Sequence, residues 1–320
     1  SVSPGYGVGS TAFTLSATGY TVAGGITFQW QKSTDGTSWS NISGASLSTY
    51  NFTGITANTY YRCVVNCSYS SSSANTASQL LYYFAPSSCT PVWYYSTCSY
   101  GMGIGTATYP FRLAGASTTL VDNQACLASG YADSTTSSLA AYTTTLNAGG
   151  TYNVTIGATS TYTVSSQIWI DFNNDGTFQT SESVGGSASR TGPSFTHTIS
   201  IPSPSAGVTP GYFRMRVETE YSYHTYPSMS PCPTSSSGSY YYGETRDYKV
   251  FIYVPPTATI TPSSLSFAPV ETGSCSTPLT STVSAVYLSP SSGSLTLTAP
   301  TGYQISLDGS SYGTSYTLTY

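Results

Sequence analysis

The chain has 320 residues, room for two or three domains, with 39% hydrophobic and only 6% charged residues and a net charge of −4. With 8 Lys+Arg against 12 Asp+Glu, no basic patch exists to hold phosphates, which excludes nucleic acid as a partner. No apolar run approaches the roughly 18 residues that a membrane-spanning helix needs. Ser, Thr, Gly and 30 Tyr dominate, but Tyr, Val, Ile and Leu recur at regular positions, which argues against disorder. No 3.6-residue apolar period is sustained; short alternating runs bounded by Gly, Pro, Asn and Ser recur instead, so the class is all-β. The chain starts at Ser1 without Met or signal peptide and reads as a processed protein or a segment of a larger one.

Residues 1–84 read as an immunoglobulin-like β-sandwich. Phe28-Gln-Trp30-Gln31 places a Trp as strand C does, and Asp35-Gly36 makes the turn after it. Tyr61-Arg62-Cys63 has Tyr two residues before Cys, the tyrosine-corner spacing. No Cys sits in the Thr14-Leu15-Ser16 strand, so the usual inter-sheet bridge is absent. The stretch resembles the Ig-like repeats of large secreted bacterial surface proteins.

Residues 85–254 carry the strongest motif. Asp171-Phe-Asn-Asn-Asp-Gly-Thr-Phe-Gln-Thr-Ser-Glu182 fits D-x-[DN]-x-[DN]-G-x5-E at every specified position. Asp171, Asn173 and Asp175 offer hard oxygens, Gly176 permits the sharp turn, the Thr177 carbonyl faces inward, and Glu182 closes the site with two oxygens. The preceding Ser166-Gln-Ile-Trp-Ile170 alternates like a strand, so this is a calcium loop between strands rather than an EF-hand. The expected role of Ca2+ is structural. Downstream come Phe213-Arg-Met-Arg-Val217 and Gly243-Glu-Thr-Arg-Asp-Tyr-Lys-Val250. Trp169 to Phe178, then Arg214-Met-Arg216, then Gly243-Glu244-x-x-Asp247-Tyr248 resemble, in order, the motifs of the GEVED domain of secreted bacterial proteins. The family's Gly-Glu-Val-Glu-Asp is here Gly-Glu-Thr-Arg-Asp, with Arg246 in place of the second Glu. The resemblance implies an extracellular, jelly-roll-like β-sandwich and no chemistry. Glu244 and Asp247 either support the metal site or pair with Arg214 or Arg216 across the sheet, which suits Arg–carboxylate geometry on a β face.

After the Pro255-Pro256 linker, residues 255–320 resemble an incomplete bacterial Ig-like module, with strands expected in Ile260–Phe267, Leu295–Pro300, Gly302–Ser306 and Ser315–Tyr320. An unfinished sandwich leaves an open edge, so the expectation is that either further strands follow Tyr320 or another chain supplies one; repeated head to tail, such strand addition builds a filament.

The remaining signals are weaker. Gly309-Ser-Ser-Tyr-Gly313 fits G-x-S-x-G, but strands flank it and it reads as a hairpin tip, not a nucleophile elbow. Gly101-Met-Gly-Ile-Gly105 has no helix after it and reads as a turn. His197 and His224 belong to no metal motif. The seven cysteines, Cys63, Cys67, Cys89, Cys98, Cys126, Cys232 and Cys275, fit no zinc spacing and point to disulfides in an oxidising setting. Cys63 and Cys67 lie roughly 13 Å apart if extended and pair only across a turn; Cys275 is the expected odd thiol. Tyr221–Tyr226 and Ser239–Tyr242 form either an aromatic platform for sugars or packing and contact surface, and the wide spread of Tyr favours the second. Asn41, Asn51, Asn66 and Asn153 fit N-x-[ST], and Tyr69–Ser73 and Pro233–Ser237 offer O-glycan acceptors. The expectation is a secreted, non-enzymatic structural subunit of an extracellular bacterial fibre or surface array that self-associates into a homo-oligomeric filament, with an adhesin or glycan-binding segment as the alternative.

Overall fold

The computed structural model describes residues 1–95, 102–136, 140–158, 161–221, 223–234, 240–288 and 293–320. It divides into two compact units, Ser1–Val254 and Pro255–Tyr320.

The first part of the larger unit has nine strands: β1 (Val2–Ser3), β2 (Tyr6–Gly7), β3 (Ala12–Ser16), β4 (Ile26–Ser33), β5 (Ser40–Asn41), β6 (Thr49–Thr53), β7 (Thr59–Cys67), β8 (Ser72–Asn75) and β9 (Gln79–Tyr83). They form one sheet in the order β1-β3-β6 and a second in the order β2-β9-β7-β4-β5, with β8 also on β7. The period of two in Ala12–Ser16 buries Phe13 and Leu15 and exposes Ala12 and Thr14. Trp30 of β4 lies opposite Cys63 of β7 and donates its indole N–H to Leu47 O at 2.9 Å. Leu15, fully buried, supplies apolar packing on the strand that carries no cysteine, and Cys63 stays a buried free thiol. Cys67 and the exposed Cys275 are free as well, so more than the one expected thiol is unpaired. The reason is local: β7 runs extended through both Cys63 and Cys67, which leaves no turn to join them.

The second part has ten strands: β10 (Phe111–Ala114), β11 (Thr119–Asp122), β12 (Tyr131–Asp133), β13 (Thr143–Asn147), β14 (Thr151–Ile156), β15 (Val164–Ile170), β16 (Ser183–Arg190), β17 (Phe195–Ser200), β18 (Gly211–Tyr221) and β19 (Gly243–Tyr253). They make one sheet in the order β11-β10-β14-β17-β16-β15-β18-β19-β12, with β13 also on β19. The sheet folds back over its own core, so that Phe111 of β10 stacks on Tyr248 of β19 with centroids 5.2 Å apart. Ile168, Ile170, Phe213, Met215, Val217 and Val250 fill the space between. β15 is buried at every position, because loops cover the face that turns away from this core. Cys89 and Cys232 form a disulfide, and Cys126 is also disulfide-bonded; Cys98 lies outside the described residues.

The smaller unit contains β20 (Thr257–Thr261) paired with β21 (Thr282–Val286), and β22 (Ser294–Thr298) paired with β23 (Ser315–Thr319). β20 ends before Pro262, which cannot donate to a ladder, so Ile260–Phe267 is not one continuous strand. Gly302–Ser306 keeps only the isolated bridge Ile305↔Gly313. Gly309–Gly313 lies in the turn region between β22 and β23, where Asp308 accepts hydrogen bonds from Ser310 N and Ser311 N at 2.8 and 2.7 Å. Among the described residues of this unit none is buried.

The core assignment of the first sandwich predicts a contrast. Leu15→Ala, at 0% exposure, should lower unfolding free energy by about 2–5 kcal/mol. Leu47→Ala, at 71% exposure, should change it by less than about 0.5 kcal/mol. Urea denaturation of the two variants measures both.

Candidate functional site

The twelve-residue loop leaves β15 at Asp171, whose amide donates to Arg214 O at 3.0 Å. Asp171 is fully buried and Glu182 nearly so. Asp171 accepts from Asp175 N (3.1 Å) and Gly176 N (2.8 Å). Asp175 accepts from Thr177 N (2.7 Å), Asn173 Nδ2 (2.9 Å) and Gln179 Nε2 (3.0 Å). A 3₁₀ turn, Thr180–Glu182, brings Glu182 back onto Gln179 N (3.0 Å) and Asn173 N (3.3 Å). Thr177 places its hydroxyl 3.0 Å from that of Ser88. The loop therefore converges on Asp171, Asn173, Asp175 and Glu182 through amide hydrogen bonds. Among the described residues, no group of three His, Cys, Asp or Glu sits in metal-holding geometry.

Burial, opposed by amide hydrogen bonds, raises the carboxyls of Asp171 and Glu182 above their ordinary values; the charge of Asp175 adds to the effect on Asp171, and that of Asp171 to the effect on Glu182. Among the described residues neither has a cationic side chain within salt-bridge distance. A buried carboxylate pair without a counter-charge is costly, and an all-oxygen donor set of this kind suits a hard divalent cation.

Beside the loop lies a charge network that sequence reasoning anticipated only in part. Asp247 of β19 accepts from Arg216 Nε and Nη2, both at 2.7 Å, from Arg214 Nη1 at 3.1 Å and from Tyr131 OH at 2.9 Å. Of the two roles open to Asp247, pairing across the sheet is the one seen. Arg216 also donates to Pro231 O (2.7 Å) and Ser87 Oγ (3.1 Å) and lies 4.6 Å over the ring of Phe178. Glu244 instead pairs with Arg246 at 2.8 Å and accepts from Ile104 N (2.6 Å) and Leu127 N (3.1 Å). Arg246 reaches Asp122 at 2.9 Å, which also accepts from Tyr248 OH at 2.8 Å. Asp122 thus supplies the acid that makes an arginine tolerable at this position. Gly243 is required by contact: a Cβ there would lie 2.2 Å from the Trp93 ring.

Sequence reasoning missed Asp122, Asp133, Glu218 and Glu220. A signal was present. Arg214, Arg216, Glu218 and Glu220 occupy alternate positions of one strand in a chain with few charges, so they share one face of β18. Glu218 and Glu220 are fully buried, and each has one oxygen, Oε1 and Oε2 respectively, without a hydrogen-bond partner. Burial raises the Glu218 carboxyl well above its ordinary value, and the neighbouring Glu220 charge adds to this. Glu220 lies 2.7 Å from His224 Nδ1, whose ring stacks on Tyr240.

The tyrosines that the sequence singled out do assemble. Tyr95 stacks on Tyr242 (5.2 Å) and Tyr241 (6.1 Å), and Tyr223 contacts Tyr221 (5.2 Å) and Tyr241 (5.7 Å). Tyr162, Tyr221, Tyr223 and Tyr242 wall a shallow depression. Ser222 and residues 235–239, which include most of the second serine run, lie outside the described residues, as does Gly101.

Residues 165–251, from β15 through the loop to β19, match the GEVED domain model. The chain carries a GEVED domain. Residues 5–81 match a family described as a domain of unknown function (DUF8696). No curated protein matches at significant similarity. Among solved structures the chain is similar to the fibronectin(III)-like modules of Clostridium thermocellum CbhA, at 10% identity and TM-score 0.18, covering 79% of this chain and 95% of that one. It is similar to an ICAM-5 D1-D4 ectodomain fragment at 14% identity and TM-score 0.21, covering 84% of this chain and 58% of that one. It is also similar to the chicken CNTN1 FN1-FN3 domains at 9% identity and TM-score 0.20, covering 78% of this chain and 65% of that one. Among the described residues, no helix is long and apolar enough to cross a membrane.

The buried acids of the GEVED domain predict a pH dependence. Burial pushes Glu220 up to about 8 from an ordinary 4.5. The folded state therefore holds this proton more tightly than the unfolded state, so stability falls as pH rises from about 4.5 to about 8. Glu220→Gln should flatten that part of the profile, as denaturant titrations at pH 5 and pH 8 will show.

Proposed function

We propose that this chain is a structural segment of an extracellular fibre or surface array, built from a GEVED domain and flanking sandwich modules. The observation that carries the reading is the unit Pro255–Tyr320. It buries none of its described residues and exposes Ile260 (50%), Val270 (52%), Tyr303 (51%) and Leu307 (54%). Its two hairpins are separate two-stranded sheets, and an isolated hairpin is marginal in water. Such edges and faces are completed by added strands, and the occupant proposed here is a second copy of the chain. The Cys89–Cys232 disulfide and the low charge fit an oxidising, extracellular setting.

In this reading the loop of Asp171, Asn173, Asp175, Thr177 and Glu182 holds a structural Ca2+. The support is the full motif match together with the two buried carboxylates, which among the described residues have no cationic side chain within salt-bridge distance. Calcium at 100 times its dissociation constant should add about 2.7 kcal/mol, a rise in Tm of about 5–10 °C for a domain of this size. Thermal melts in calcium and in chelator measure it, and equal melting temperatures reject the metal. Electron microscopy and light scattering test the assembly. Regular filaments or a concentration-dependent oligomer are expected, whereas a monomer at high concentration overturns the fibre reading.

A second reading, glycan binding, is favoured by one observation: Tyr95 (49%) and Tyr223 (57%) are exposed beside Tyr241 and Tyr242 and present uncharged ring faces. A glycan array should then give signals that Tyr241→Ala and Tyr242→Ala abolish, and an array without any signal rejects it.

A further inference from the structure

The loop has two sides, and the side without candidate ligands grips another part of the protein. Asn174 is a non-glycine residue in the left-handed region, at φ 56°. Its side-chain amide donates to Tyr83 O at 2.6 Å and accepts from Ala85 N at 2.7 Å. It thus pairs with the backbone that leaves β9. Gly176 O accepts from Ser88 N at 2.7 Å, and a Cβ at Gly176 would lie 2.2 Å from Pro86 O. Thr177 reaches Ser88. Every one of these contacts falls on residues 83–88, the segment that joins the N-terminal sandwich to the GEVED domain.

We propose that this loop is the clamp that fixes the N-terminal sandwich on the GEVED domain, with Asn174 as its principal residue. Side chains of Asp171, Asn173, Asp175 and Glu182 converge within the loop, while Asn174 and Gly176 face the joint. Phe84 and Ala85 are buried under the clamp, with Arg214 5.3 Å over the Phe84 ring. A further contact is aromatic: Tyr212 meets Tyr6 and Tyr82 at 4.6 and 5.7 Å. Between these two contacts lies an open cleft of about 410 Å³ lined by Asn58, Tyr83, Asn174 and Tyr212. Lys249 Nζ also donates to Tyr6 OH and Tyr82 meets Phe251 at 5.7 Å, so the loop holds the joint together with these contacts on the far side of the cleft. Ordering the loop and ordering the joint become one event, so a cation that stiffens the loop stiffens the module pair. Only this last dependence rests on the calcium reading above.

Hydrogen exchange of the full chain tests the clamp, read at the amides of Ala85 and Ser88, with calcium binding followed separately by calorimetry. Asn174→Gly is the informative variant, because glycine keeps the left-handed backbone and removes only the amide. It should retain calcium binding and overall stability but exchange at Ala85 about tenfold faster, the equivalent of about 1.4 kcal/mol. Asp171→Asn should abolish the calcium dependence of that protection. Unchanged protection at Ala85 in Asn174→Gly overturns the clamp. Faster exchange in Asn174→Gly without any calcium binding to the parent chain supports the clamp and rejects the metal.

Discussion

The pairing of Asp247 with Arg216 is the constraint around which the GEVED domain is arranged. Both side chains are fully buried on the neighbouring strands β18 and β19, where desolvation of two ions costs several kcal/mol each unless geometry and further hydrogen bonds offset it. Here the offset is nearly complete. Asp247 receives the bidentate Arg216, Arg214 and Tyr131, and Arg216 spends its other protons on Pro231, Ser87 and Cys89. The partners come from four segments: Arg214 from β18 itself, Tyr131 from β12, Ser87 and Cys89 from the linker, and Pro231 from the loop ending at Cys232. The pair is tolerable only when β12, the linker before Cys89 and the loop ending at Cys232 are all in place, and the disulfide holds the last two together. Losing one partner leaves a buried charge, which is why such pairs specify an arrangement more than they stabilise it.

The same strand carries the opposite solution at its other end. Glu218 and Glu220 have no arginine within salt-bridge distance among the described residues; instead burial pushes both towards the protonated form. Thr245 hydroxyl lies 3.4 Å from Glu218, and the Trp93 indole, 3.3 Å from Thr245, closes the site over Gly243. Within four positions, one face of β18 thus runs from paired ions to acids whose carboxyls burial raises above their ordinary values. One end offsets its charge with partners; at the other, burial favours the protonated carboxyl and Glu220 lies beside His224.

Much of this was legible in the sequence. Alternation in Ser166–Ile170, the Trp30 strand and the twelve-residue motif gave strands and loop where the structure has them, because period-two patterning and turn residues act locally. The partner of Glu244 was not legible. Arg246 stands only two residues away on the same strand face, but its acid, Asp122, is 124 residues away and meets it only because the sheet folds back on itself. The thiols misled for a related reason: parity of cysteines says nothing about which strands face each other, and Cys63 packs in the first core beside Leu15 with no second cysteine in that cluster. In the smaller unit, strand propensity at Gly302–Ser306 went unrealised, since strands there have little core to pack against and β-propensity is largely packing.

The loop shows how a short motif serves two roles without conflict. A left-handed residue such as Asn174 is costly by itself, and an isolated calcium-type loop would be free to replace it with glycine. Asparagine at that position is explained by the two backbone groups it satisfies, Tyr83 O and Ala85 N, the second of them in a buried residue. The pattern D-x-N-x-D leaves its intervening positions unspecified; they point away from the donor oxygens and are free to address a neighbour. In this chain Phe172 packs against Phe213 of the second core and Asn174 addresses the linker, so the rigidity of the loop is passed to the module that precedes it.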